Sequence, residues 1–270
     1  MYPHDIIFGV GLYEICIIVG LILSMVVFRV CADKRGLSAK LQNVVLLAIP
    51  FALFIGYPAS VVVQWFYNSV QAGDFSTPIF AATTGSTFYG GLIGGTLAFL
   101  AFYLTSGRFV LKDREYLTRL HVVYDLAPCA ITVAHAVGRL GCFFAGCCYG
   151  LRTDSVIGVS FPGQQFKVIP TQLFEVFFLL VLFAFLMIRY FDGKHHTMTI
   201  YLIAYGVWRF LLEYLRGDDR GETVVPFLTP SQLTAILMIL LGIVLFLLRH
   251  KFYGRPAPKP TADPDGGKTE

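Results

Sequence analysis

The sequence predicts an all-α, polytopic membrane helix bundle of about seven transmembrane helices, with the N-terminus outside and a small extracytoplasmic head. Three observations predict it. Hydrophobic residues make up 56% of the 270 residues and charged ones only 14%, with a mean hydropathy of +0.68; a soluble domain is nearer about 45–50% apolar and about 25% charged. Seven apolar stretches, at 6–30, 44–67, 85–105, 121–140, 172–190, 197–215 and 230–249, approach the roughly 20 residues that cross a bilayer. Lys and Arg alternate between the connecting segments in the way that sets membrane orientation. Arg29, Lys34, Arg35 and Lys40, then Arg108, Lys112, Arg114 and Arg119, then Arg189 and Lys194, then the C-terminal basic residues, mark the cytoplasmic side. The opposite side has only Arg139, Arg152, Lys167, Arg209, Arg216 and Arg220.

The first stretch lacks a basic leader and a small-residue cleavage site, so it reads as a retained span and not a signal peptide. Tyr13 and Glu14 lie near its outer end, and an acid on a membrane helix is a candidate functional group. The second stretch carries Gly56, Tyr57 and Pro58, which reads as a kink, and ends in an aromatic belt at Trp65 and Tyr67. The third opens with Tyr89 and the pairs Gly90/Gly94 and Gly91/Gly95, which fit close helix packing. A basic connector at 106–120 leads to the fourth stretch, where His135 and Arg139 are four residues apart and share a face. Residues 141–170 form the small outer head. Pro170 and Thr171 then start the fifth helix, with Gln172 and Glu175 pointing the same way, as a cap or as site residues. In the sixth stretch Arg209, Glu213 and Arg216 fall in one stripe on an otherwise apolar helix, either a buried ion-pair ladder or the wall of a polar cavity. Residues 1–250 read as one membrane domain and 251–270, rich in Pro, Gly, Asp and Lys, as a disordered cytoplasmic tail.

The densest cluster of unusual residues runs from Gly138 to Gly150: four glycines, among them Gly138 and Gly141, with Arg139 and with Cys142, Cys147 and Cys148. Glycine admits close backbone approach, and an arginine at the end of a membrane helix must be paired or at work. The stretch reads as an anion-facing turn, or as a helix-to-loop turn with a snorkelling arginine. Guanidinium groups suit a lipid phosphate. The three outer cysteines leave a disulfide, a reactive thiol or a soft-metal site open; their spacing places no fourth ligand, and no metal is assigned.

These pieces together resemble the prolipoprotein diacylglyceryl transferase family. The matching segments are Tyr13 to Gly20, Tyr89 to Gly94, Gly138 to Gly150, Pro170 to Glu175 and Tyr205 to Arg216, in the family's order. The resemblance places the family's signature arginine on Arg139, its first-span tyrosine on Tyr13, its later Arg, Glu and Arg on Arg209, Glu213 and Arg216, and its Gln and Glu on Gln172 and Glu175. There are departures: Tyr89 stands where the family often has histidine, Cys142 where it has asparagine, and Cys147 where it has a polar or acidic residue. Ser60 lies near the place of a missing arginine.

The resemblance implies transfer of a diacylglyceryl group from phosphatidylglycerol to a lipobox cysteine thiol, forming a thioether at the outer face of a bacterial inner membrane. Arg139 and Arg209 are expected at the phosphate, with Arg216 in support and Glu213 orienting Arg209. Tyr89, His135 and Glu14 are the candidate bases, in that order. Tyr13, Gly138, Gly141, Gln172 and Glu175 are expected to bind substrate. The implied partners are phosphatidylglycerol, a prolipoprotein lipobox segment and membrane lipid, with no nucleic acid and no cofactor. Two alternatives stand beside this: a related lipid transferase that uses Cys142 or Cys147 and a different acceptor, or a non-catalytic lipid-binding membrane protein.

Overall fold

The computed structural model describes residues 10–81, 83–111, 114–217 and 227–248, with the backbone alone at Phe88 and Tyr89. The C-terminal tail therefore lies outside the described residues. Seven long helices occupy the seven apolar stretches: α1 (Leu12–Lys34), α2 (Ala39–Ala72), α3 (Phe88–Val110), α5 (Leu120–Phe144), α6 (Thr171–Phe191), α7 (Thr197–Leu212) and α8 (Pro230–Leu247). A single turn, α4 (Glu115–Thr118), connects α3 to α5. Six of the long helices are long and apolar enough to cross a membrane. The seventh, α7, has only 16 residues, about 24 Å at the helical rise. It continues as a 3-10 turn at Glu213–Leu215, which adds about 6 Å and brings the pair to the thickness of a bilayer core.

Large apolar side chains cover the outside of the bundle. Phe54 on α2 and Phe177 and Ile188 on α6 are 75%, 71% and 63% exposed. In water so continuous an apolar surface would aggregate; in lipid it is the expected coat. The protein is thus a multi-pass membrane helix bundle.

Backbone contacts made possible by glycine hold the helices together. A Cβ on Gly94 would overlap the Ala59 Cβ, and one on Gly56 would sit 3.1 Å from the Gly91 carbonyl. Helices α2 and α3 therefore form a tight hairpin, as the two glycine pairs predict. Helix α2 runs unbroken through Pro50 and Pro58 and one turn past the aromatic belt, ending at Gly73 in the left-handed conformation. Helix α5 is the most deeply buried, with Leu126, Cys129 and Thr132 fully enclosed. It packs against α1, α6 and α7, and α8 packs on α7.

Local chemistry fixes the helix ends. The Ser38 hydroxyl accepts from the Leu41 amide to start α2, while Glu115 accepts from the Ser38 amide. A cap of this kind is worth about 1 kcal/mol. The Asp125 carboxylate accepts from the His196 amide at 3.1 Å and meets His195 Nδ1 at 3.2 Å, and the Thr197 hydroxyl also bonds to Asp125, so a residue of α5 staples the turn from α6 into α7. Most of the hydrophobic core lies towards this end, around Phe28, Leu41, Tyr103, Leu126, Leu186 and Tyr190.

The other end, the head end, carries residues 145–170. No regular strand forms among its described residues. Isolated bridges join Gly150 to Arg216, Arg152 to Val168 and Val159 to Val168. The Gly150 amide donates to the Ile169 carbonyl at 2.8 Å and the Leu151 amide to the Leu215 carbonyl at 2.9 Å. A Cβ on Gly150 would run into the Leu215 carbonyl, so only glycine lets the head, the start of α6 and the end of α7 meet there.

Candidate active site

At the head end, three helices bring their polar residues to one carboxylate. Helix α5 carries His135 and Arg139 on one face, α6 carries Glu175 one turn past its start, and α7 carries Tyr205 and Arg209. The Glu175 side chain is fully buried. Its Oε2 lies 2.9 Å from Arg139 Nε; the angle is too poor for a hydrogen bond, so the contact is an ion pair. Its Oε1 accepts from the Tyr205 hydroxyl at 2.7 Å and lies 3.6 Å from His135 Nε2. The Tyr205 oxygen is 3.4 Å from that same nitrogen. The two guanidinium groups, Arg139 and Arg209, both act electrostatically on Glu175 and on each other.

Arg209 is held from its other side. Its Nη2 is 3.0 Å from Glu213 Oε2 and donates to the Ser231 hydroxyl at 2.8 Å. Glu213 in turn accepts from the Thr229 hydroxyl at 2.9 Å, where Thr229 also caps α8. Unused donors remain. Arg209 Nη1 is buried with no hydrogen-bond partner, and among the described residues nothing accepts a hydrogen bond from Arg139. A buried guanidinium donor with nothing to bond costs stability unless a ligand meets it.

The Gly138–Gly150 stretch does not turn where the sequence suggests. Helix α5 continues to Phe144, so Arg139, Gly141 and Cys142 are still helical, and the turn comes at Gly146 with φ 62°. Gly141 is needed for packing, since a Cβ there would be 3.0 Å from Cys16 and 3.3 Å from the Tyr13 ring. This contact places Tyr13 of α1 beside the site. Gly138 is different: a Cβ would meet only Ile17, at 3.8 Å, so packing within the chain does not require it.

The single stripe expected for Arg209, Glu213 and Arg216 is broken. The helix tightens into the 3-10 turn after Leu212 and Arg216 is extended, with its backbone paired to Gly150. Arg216 thereby acts on the Cys148 sulfur. Glu14 acts on its own helix, where its carboxylate accepts from the Gly11 amide at 3.0 Å and caps α1. The side chain of Tyr89, the first candidate base, lies outside the described residues. Gln172 does not cap its helix; its amide donates to the Cys147 carbonyl at 2.6 Å, and Thr171 donates to the Cys148 carbonyl at 3.0 Å.

Cys142, Cys147 and Cys148 converge, with their sulfurs all within 4.8 Å of one another, as free thiols. The neighbouring thiols of Cys142 and Cys147, with Arg216 behind them, hold the Cys148 thiol below the ordinary thiol range, while the Cys147 thiol itself donates to the Cys142 carbonyl at 3.7 Å. Its two thiol neighbours push Cys147 the other way. Sequence reading missed the roles of Tyr205, Thr229 and Ser231. For Tyr205 a signal existed, because it lies four residues before Arg209 and so on the same face. Ser231 and Thr229 gave none, since their partners are distant in sequence. A separate hollow of about 320 Å³, lined by Arg108, Phe109, Leu111, Arg114 and Tyr116, lies at the opposite end and includes none of these residues.

Comparison with known proteins bears on this geometry. A family model described as prolipoprotein diacylglyceryl transferase matches residues 4–248. The chain is 31% identical over 261 residues to phosphatidylglycerol–prolipoprotein diacylglyceryl transferase 2 of Clostridium perfringens, covering 92% of this chain and 95% of that one. It is 29% identical over 256 residues to the like-named transferase of Streptococcus equi subsp. zooepidemicus, covering 90% and 92%. With the like-named protein of Finegoldia magna the identity is 30% over 247 residues, covering 88% and 92%.

Proposed function

The chain belongs to the prolipoprotein diacylglyceryl transferase family, and we propose that it moves a diacylglyceryl group from phosphatidylglycerol to the thiol of a lipobox cysteine. One observation carries the residue roles. Arg139 on α5 pairs with the buried Glu175 carboxylate at 2.9 Å, Arg209 on α7 acts on the same carboxylate electrostatically, and both keep donors in reserve. A phospholipid phosphate between them supplies the acceptors those donors lack, and guanidinium is the group best shaped to grip it. The acceptor sulfur attacks the carbon of the diacylglyceryl group that bears the phosphate. The C–O bond breaks, glycerol phosphate leaves on the two arginines, and a thioether remains.

The sulfur must lose a proton, since a free thiol of pKa about 8.5 is only a few per cent ionised at neutral pH. His135 is the base within reach of the cluster, with Tyr205 and Glu175 orienting its ring. Tyr89, at the start of α3, is the second candidate. Tyr13, packed on Gly141, and Gly138, where a Cβ would meet only Ile17 at 3.8 Å, are assigned to substrate binding. Residues 1–250 are one transferase domain whose head begins at 145, after α5, and ends at 170, and the segment 251–270 is assigned to the cytoplasmic side. Orientation rests on charge. Arg29, Lys34, Arg35, Arg108, Arg119, Arg189 and Lys194 gather at the end opposite the head, which is therefore cytoplasmic. The head and the site face outward from the bacterial inner membrane.

The test is turnover by the purified protein, in detergent, of labelled phosphatidylglycerol and a lipobox peptide, read as a diacylglyceryl thioether by mass. Arg139→Lys and Arg209→Lys keep the charge and lose the planar fork. A charge-assisted hydrogen bond is worth about 1.5–3 kcal/mol, so each should lower kcat/KM roughly 10- to 150-fold. Full turnover in either variant refutes that arginine's role. Lipid retention with no thioether from the native protein would favour the non-catalytic alternative.

A further inference from the structure

We propose that Cys142, Cys147 and Cys148 form a three-thiolate zinc site whose open fourth position takes the acceptor thiol. The inference rests on the reading above, in which a thiol is the group to be alkylated. Its own basis is geometric. The three sulfurs lie within 4.8 Å of one another. A Zn–S bond of about 2.3 Å sets tetrahedral thiolates about 3.8 Å apart, so an ion needs a sulfur displacement of about 1 Å or less. Two elements supply the ligands: Cys142 stands on the last turn of α5, and Cys147 and Cys148 follow the turn at Gly146.

The supports are fixed from outside the cluster. Gln172 and Thr171, at the start of α6, hold the carbonyls of Cys147 and Cys148. Cys148 has φ 62°, a left-handed conformation that a non-glycine residue keeps only when its surroundings impose it. The two contacts from α6 are the restraint. Outer-shell hydrogen bonds of this kind orient metal ligands. Charge is compatible as well. Three thiolates on a divalent ion leave one negative charge, and Arg139 lies beside Cys142 while Arg216 lies beside Cys148.

Three protein ligands with a fourth position open is the arrangement of catalytic zinc, whereas structural zinc is closed by four. Thiolate ligands select zinc or cuprous copper over hard cations, and an exchangeable fourth ligand favours zinc. The chemistry then balances without a redox partner. The incoming thiol binds zinc, which acidifies it, and gives its proton to His135, from which the proton passes to water. The zinc-bound sulfur forms the C–S bond to the carbon of the diacylglyceryl group as the C–O bond to phosphate breaks, and the C–O electron pair leaves with the phosphate. Glycerol phosphate takes up its proton from water, and zinc stays divalent.

The experiment uses the full chain in detergent, reduced, stripped of metal and titrated with Co²⁺. One equivalent should bind, with an intense near-ultraviolet thiolate-to-cobalt band that Zn²⁺ displaces. N-acetylcysteine methyl ester should then shift the visible cobalt bands as its thiol enters the fourth position. Cys147→Ser should weaken cobalt binding at least tenfold. Should that variant fail to fold, iodoacetamide labelling of the native protein answers the question: zinc should protect Cys142, Cys147 and Cys148, read by peptide mass. No charge-transfer band on the reduced protein, or equal labelling with and without zinc, overturns the site. A cobalt spectrum unmoved by the thiol overturns the open position. Zinc retention with no diacylglyceryl transfer would sink the proposed reaction and leave the site standing; transfer by the metal-free protein would overturn the zinc's role and leave the reaction standing.

Discussion

Glu175→Gln is the substitution that most directly tests how the charged cluster is built. The change keeps volume and shape and removes one charge. Glu175 presents two acceptor oxygens, one to the Tyr205 hydroxyl at 2.7 Å and one to Arg139 Nε at 2.9 Å. A glutamine has one acceptor oxygen and an NH2 group. In one rotamer the NH2 faces the Arg139 guanidinium, donor against donor. In the other it faces Tyr205, whose hydroxyl loses its acceptor, while the oxygen alone faces a full positive charge. Neither orientation satisfies the site, and Arg139, only 16% exposed, loses its countercharge. Breaking a buried pair by removing one partner costs about 3–5 kcal/mol. At roughly 2–4 °C per kcal/mol, the thermal midpoint in detergent should fall by roughly 6–20 °C. Arg139→Gln combined with Glu175→Gln should recover at least half of that loss, because it removes the stranded charge along with its partner. A single variant melting within about 2 °C of the native protein would refute the reasoning, since Glu175 would then not be neutralising buried cations. So would a double variant no more stable than the single one.

Other expectations follow from the same contacts. His135→Gln keeps a polar group near Tyr205 and removes the base; transfer should fall about 10²- to 10⁴-fold with phosphatidylglycerol binding unchanged, measured by single-turnover rate and lipid retention. Gly94→Val forces α2 and α3 apart at Ala59, which should cost about 1–3 kcal/mol by overpacking and lower the thermal midpoint accordingly. Asp125→Ala frees the His196 amide and the Thr197 hydroxyl, so amide hydrogen exchange at His196 and Thr197 should rise at least tenfold while the site at the far end keeps most of its activity.

Much of this fold could be read from periodicity alone, because membrane helices announce themselves by length and apolarity. Helix α7 shows the limit. At 16 residues it is too short by itself, and the 3-10 turn that completes it depends on the Gly150–Arg216 bridge, a contact between segments more than sixty residues apart. The same bridge explains why an i, i+7 pattern misplaced Arg216. Helical spacing governs only while the helix lasts. His135 and Arg139 were legible as one face since α5 runs straight through them. That Glu175 would be what they face was not, as nothing in sequence distinguishes an acid that caps its helix from one that turns to a neighbour. Ser60, standing near the place of a missing arginine, has a packing reason. A Cβ on Gly90 would already lie 2.9 Å from the Ser60 Cα, so the crossing of α2 and α3 leaves little room for a long side chain.

The start of α6 shows how local stability and the site compete for the same side chains. Helix N-termini usually satisfy their free amides with a Ser, Thr, Asp or Asn side chain, a gain of about 1 kcal/mol. Helices α2 and α8 do this with Ser38 and Thr229. Helix α6 has Thr171 and Gln172 in its first turn yet makes no side-chain cap; Pro170 sits at the cap position and cannot provide one. Both polar side chains instead reach back to the Cys148 and Cys147 carbonyls. What α6 gives up in capping it returns as position, because the strained Cys148 and its two thiol neighbours are fixed relative to Glu175 on the same helix. If that is the trade, Thr171→Val should be mild for α6, which loses no cap. It should matter more for the thiol cluster: release of the Cys148 carbonyl should speed labelling of Cys148 at least threefold, with the thermal midpoint moved by no more than about 4 °C. A large loss of stability with unchanged labelling would mean that Thr171 serves its own helix after all.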